Sequence, residues 1–96
     1  MSKRYLKERS AMIKTQDGYL TVTMSDGPTL VVNPSGRTYL LKVKEFLSSS
    51  DPDVIFLDLH LPLSVGTDLL RIIRETSPGK RIVLRPLENA RLQEIA

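Results

Sequence analysis

The 96-residue chain has no cysteine, which removes disulfides, thiolate metal sites and cysteine nucleophiles together. It has no tryptophan and a single histidine, His60, so a histidine-rich metal cage is excluded as well. Aromatic residues are 5% of the chain, and Tyr5, Tyr19, Tyr39, Phe46 and Phe56 are scattered rather than interleaved with basic residues. No apolar run approaches the about 20 residues that cross a membrane as a helix. The start, Met1 to Arg9, is basic but lacks the apolar stretch of a secretory signal, which predicts a cytoplasmic protein. What is present is ordinary for one small globular domain: 41% hydrophobic and 26% charged residues. The formal charge of +3 comes mainly from Lys3, Arg4, Lys7 and Arg9 at one end and Lys80, Arg81, Arg85 and Arg91 near the other. That distribution reads as a solvated basic surface and disfavours nucleic acid as a partner.

Residues 1–14 mix charge with isolated apolar positions and read as a basic N-terminal arm, leaving 15–96 as a single domain. Tyr19 to Met24 alternates in polarity, with Leu20, Val22 and Met24 on one face of a half-buried strand. Asp26-Gly27 then marks a hairpin, and Thr29 to Val32 forms the return strand, stopped by Asn33-Pro34-Ser35-Gly36. From Arg37 the period changes to helical, with Tyr39, Leu40, Val43, Phe46 and Leu47 on one side and Ser35 as the expected N-cap. Val54 to Leu57 is an uninterrupted apolar run, as in a strand buried on both faces. After a loop over 58–66, Leu69, Leu70, Ile72 and Ile73 make a second amphipathic helix closed by Ser77-Pro78-Gly79. Ile82 to Leu84 is another buried strand, and 87–96 reads as a short helix.

The expected order is therefore β-β-α-β-α-β-α: an α/β domain with a small, mostly parallel sheet of about four strands. The N-terminal hairpin adds an antiparallel edge strand, 19–24, suited to pairing with another chain. In such a sheet, reactive groups collect at the carboxyl ends of the parallel strands. That rim holds Asn33, Asp58, His60 and Arg85. A carboxylate such as Asp58, closing an apolar strand, can ligate Mg²⁺ or accept a phosphoryl group. It can equally end the strand by accepting loop amides. Asp17, Asp26 and Asp68 read as turn or first-helical-turn residues. Ser64, His60 and Asp58 crowd one loop without an oxyanion hole, and Ser35, Gly36 and Arg37 lack the glycine spacing and lysine of a phosphate loop, so catalysis is not expected.

The run from Pro52 to Leu84 resembles the middle of a response-regulator receiver domain, with Asp58, Pro62 and Gly66 at the family's spacing. The resemblance implies Asp58 as phosphoacceptor, with the His60 carbonyl at a Mg²⁺ position. The chain departs from the family at the chemistry. Asn33 and Pro34 stand where the acidic pair follows the first strand, Arg85 stands where Ser or Thr follows the fourth, and the last strand with its lysine is missing. The strand and helix order also resembles the anti-sigma-factor antagonist (STAS) domain, with Gly36-Arg37 after the second strand and Ser64-Val65-Gly66 at the switch position. That resemblance implies a partner-switching regulator controlled by phosphorylation of Ser64, although Leu63 replaces the usual acidic residue. The residues read Ser64 as an N-cap or loop hydroxyl. The expectation is a non-catalytic signalling module on a degenerate receiver-like scaffold. It would act on a protein partner, a second copy included, without a cofactor and with Asp58 as the one residue that could hold a metal.

Overall fold

A computed structural model describes residues 8–58 and 60–85 in full, and the backbone of residues 93–95. Its elements run β1 (Ser10–Gln16), β2 (Tyr19–Met24), β3 (Thr29–Val32), α1 (Thr38–Ser50), β4 (Val54–Asp58), α2 (Leu63–Thr76), β5 (Arg81–Arg85) and β6 (Gln93–Ile95). The six strands form one mixed sheet in the order β3-β2-β1-β4-β5-β6. The first three make an antiparallel meander, β1 then pairs in parallel with β4, and β4 in parallel with β5. β6 returns antiparallel along β5.

Several expectations are corrected. Residues 10–14, assigned to the arm, belong to β1, which lies at the centre of the sheet; residues 1–7 lie outside the described residues. Among the described residues the sheet has six strands rather than about four, and it is mixed rather than mostly parallel, since three of its five pairings are antiparallel. The strand 19–24 is not an edge, because β1 covers one of its sides and β3 the other. Within the expected helix over 87–96, residues 93–95 are extended and paired to β5, while 86–92 lie outside the described residues. α2 begins at Leu63, so the loop after β4 is shorter than 58–66. Ser35 does not cap α1: Arg37 stands at the N-cap, without a side-chain cap bond.

The meander forms because its turns are short and suited to their residues. Asp17 and Gly18, with φ of 53° and 82°, fill a two-residue turn between Gln16 and Tyr19. Positive φ at both central positions matches the right-handed twist of the flanking strands, which is why Asp-Gly recurs there.

Alternation then sorts the strands into two faces. Ala11 and Ile13 on β1, Leu20, Val22 and Met24 on β2, and Ile55 and Leu57 on β4 share one face and are buried. Both helices pack on that face, through Tyr39, Leu40, Val43 and Leu47 of α1 and Val65, Leu69 and Ile73 of α2. Each fully buried Leu or Ile there contributes roughly 1.5–3 kcal/mol relative to exposure. The other face carries no described helix. It carries Met12 and Lys14, Tyr19, Thr21 and Thr23, Thr29 and Val31, Val54, Phe56 and Asp58, and Val83 and Arg85, of which Thr21, Val54, Asp58 and Val83 are buried.

Arg9, the last residue before β1, fastens the end of the sheet opposite Asp58. Its amide donates to Asp53 Oδ2 (2.8 Å), and its guanidinium reaches Asp26 Oδ2 (3.1 Å) and the Ser50 carbonyl (2.6 Å). Lys80 pairs with Asp51 (2.9 Å) and Arg81 with Glu8 (3.4 Å). Part of the basic excess at the two ends is thus matched inside the fold, whereas Lys3, Arg4, Lys7 and Arg91 lie outside the described residues.

Candidate functional site

β4 ends on Asp58, whose side chain is 3% exposed although it closes the strand at the rim. The carboxylate is held by the loop it starts. Oδ1 accepts the His60 backbone N–H at 2.9 Å, with His60 Nδ1 3.4 Å from the same oxygen, and the Asp58 carbonyl accepts the Leu61 N–H at 3.3 Å. An Asp side chain that bonds the amide two residues on makes a local turn, which is a physical reason for Asp at the end of an apolar strand. The His60 imidazole is about half exposed, at 48%.

Alternation puts Asp58 on the face away from the helices. There the parallel ladder sets Arg85 directly opposite it. On the other side, Met12 pairs with Phe56, so Lys14 follows two residues later at the level of Asp58. Met12, Lys14, Asp58 and Arg85 line one shallow depression of about 170 Å³. A second hollow of about 140 Å³, on the helix side of the same rim, is apolar and lined by Leu57, Leu61, Leu63 and Leu70 among others.

The Mg²⁺ implied by the receiver resemblance does not fit this donor set. A hard cation wants several oxygen ligands, and the strand beside Asp58 supplies a lysine ammonium and not a carboxylate. Among the described residues, no group of three or more His, Cys, Asp or Glu side chains comes together as a metal site.

The other predicted residues scatter. Asn33 follows β3 at the same rim, but β2 and β1 lie between β3 and β4, so about 14 Å of sheet separates it from Asp58. Ser64 sits exposed in the first turn of α2, where its carbonyl accepts the Thr67 hydroxyl at 3.2 Å. Asp68, in the same helix, bonds Arg71 at 3.2 Å and lies 3.5 Å from Arg37, tying the start of α1 to α2. Lys14 falls within the expected arm and so stands outside the candidate residues of the sequence. The signal that finds it is Asp17-Gly18, a two-residue turn requiring a strand on each side.

Tyr39, buried in the first turn of α1, faces the same junction. Burial raises its phenol pKa, the Asp68 carboxylate raises it further, and Arg37 draws it back. The fold therefore prefers the neutral phenol. That stabilisation is whole below the unfolded value of about 10 and is lost as pH rises through the raised folded value. Urea melts between about pH 9 and about pH 11 should show stability falling, and Tyr39→Phe should flatten that alkaline loss.

On the face of the meander that carries no described helix, Tyr19 is 49% and Val31 58% exposed. With Gln16, Asp17, Thr21, Thr23 and Thr29 they line a broad, shallow trough in which Asp17 carries the one charge among the described lining residues. No known protein-family model matches the chain, and no curated protein matches it.

Proposed function

We propose that the chain is a non-catalytic regulatory module that contacts a protein partner through the meander part of the sheet face that carries no described helix. The observation that carries this reading is the trough at Tyr19 and Val31, where two large apolar side chains stand half exposed among threonines. Aromatic and aliphatic groups rimmed by hydroxyls suit a protein surface better than a charged ligand. Asp58 serves in this reading as a strand-ending residue, held by the His60 amide between two cations, and not as a phosphoacceptor. The module is taken to work in the cytoplasm on a degenerate receiver-like or STAS-like scaffold.

The test uses the whole chain as bait beside its Tyr19→Glu variant. A partner retained by the wild type and lost by at least about tenfold with Tyr19→Glu supports the reading, since one well-placed aromatic anchor is worth that much. Retention by both baits at equal strength moves the contact off this face. Titration with Mg²⁺ and then beryllofluoride, followed by amide NMR, examines the receiver alternative; saturable shifts over residues 58–66 would make Asp58 a working acceptor.

A second reading has its own observation. Ser64 is exposed in the first turn of α2, where a phosphoryl group would meet the positive end of the helix dipole. A Ser64→Asp variant that releases a partner held by the wild type would support STAS-like switching.

A further inference from the structure

β3 is the edge of the described sheet, and its backbone shows how that edge is set. Met24 N–H donates to the Pro28 carbonyl at 2.8 Å, which makes 24/28 a hydrogen-bonded pair of the β2–β3 ladder. Antiparallel pairs alternate, so Val22/Leu30 and Leu20/Val32 are hydrogen-bonded and Thr23/Thr29 and Thr21/Val31 are not. The N–H and C=O groups of Thr29 and Val31 therefore point outward, away from β2. Asn33 continues the series, held extended by the proline that follows it. Edge strands are ordinarily blunted by lysine, proline or a bulge, yet Thr29-Leu30-Val31-Val32 contains none of these and no charge.

We infer that this edge pairs with the β3 edge of a second copy of the chain, antiparallel, with Val31 on the twofold axis. The inference rests on the interaction reading above and names the partner. A twofold axis perpendicular to the sheet keeps each face on its own side, so the pairing must match residues of like orientation. Placing Val31 opposite Val31 of the second copy does this. It sets the outward groups of Val31 against each other and those of Thr29 against Asn33. On the helix side, Leu30 then meets Val32. A second copy supplies all of this by symmetry, since the interface is self-complementary. The strand is short, and the contact falls below the about 1,200 Å² of ordinary stable interfaces, so the dimer belongs to the weak class that forms at high concentration.

Sedimentation of the full chain over a roughly hundredfold concentration range should show a monomer passing to a dimer. Amide exchange by NMR gives the register. Leu30 and Val32 N–H groups are protected at every concentration, whereas those of Thr29 and Val31 become protected only as the dimer forms. Val31→Lys, at an exposed position that leaves the β2 ladder intact, should weaken association by about tenfold or more, while Val31→Thr keeps it. Because the chain has no cysteine, Val31→Cys also offers a single reporter, expected to yield a disulfide-linked dimer on mild oxidation. A monomer throughout, association unchanged by Val31→Lys, or a Val31 N–H exchanging equally at all concentrations overturns the inference. If the chain stays monomeric while Tyr19→Glu still abolishes capture of another protein, self-pairing falls and the interaction reading stands.

Discussion

Ile13→Ala should lower the stability of the chain by about 2–5 kcal/mol, read as a shift of the urea midpoint at unchanged slope. Ile13 is fully buried, pairs with Val22 on one side and Leu57 on the other, and faces the helices. Truncating it removes apolar contacts from the centre of the sheet and leaves a void that α1 and α2 cannot close without moving. The experiment also separates two pictures of the N-terminal region. A loose arm would absorb the change within about 0.5 kcal/mol, as exposed positions do. Lys14→Ala, one residue further on, is the matching control, because that side chain is half-buried on the face that carries no described helix.

Asp58→Ala should cost about 1.5–3 kcal/mol, the range for a hydrogen bond to a charged acceptor. The donor is the His60 N–H, which loses the 2.9 Å bond to Oδ1, and the turn into α2 loses the group that starts it. Asp58→Asn keeps an oxygen at that position and should recover most of the loss. The comparison is best made by chemical denaturation, with the β4–α2 amides followed by exchange. An alanine variant as stable as the wild type would show that the carboxylate is not what holds the loop, and would reopen a chemical role for it.

The parts of the fold that read plainly from the sequence are those whose neighbours impose one environment. Val54 to Leu57 has a face toward the helices and a face toward the far side of the sheet. Val54, Ile55 and Leu57 are buried and Phe56 half-buried, and the run is continuously apolar as a result. α2 announces itself because Val65, Leu69 and Ile73 fall at four-residue spacing on one stripe. β1 was hidden by its own position. Its outer face reaches the rim through Lys14 and its end carries Thr15 and Gln16, so polarity masked the alternation of Ala11 and Ile13. Once β1 is missing, β2 looks like an edge and the β3 edge goes unseen.

The candidate site divides in the same way. Asp58, His60 and Arg85 were legible because a charge closing an apolar strand has few places to go. Asn33 was expected beside them because β3 also runs toward that rim. Sheet order decides otherwise, since the meander folds back and inserts β2 and β1 between β3 and β4. On the β1 side the residue level with Asp58 is therefore Lys14, which brings an ammonium where cation binding wants a second carboxylate. Local pattern determines which residues reach the rim, but only the long-range pairing of β1 with β4 determines which of them are neighbours.

The sheet order also governs where the chain enters and leaves it. β1 starts at Ser10 and β6 ends at Ile95, and because β6 runs antiparallel to β5, both points lie at the end of the sheet remote from Asp58. Across β4 and β5 they are separated by about three strand spacings, or roughly 14 Å. A tag, a surface linkage or a neighbouring domain joined at either point departs from the side fastened by Arg9. The rim with Asp58, His60 and Ser64 then faces away from the tether, and a host loop could carry the entire sheet as an insert with that rim outermost.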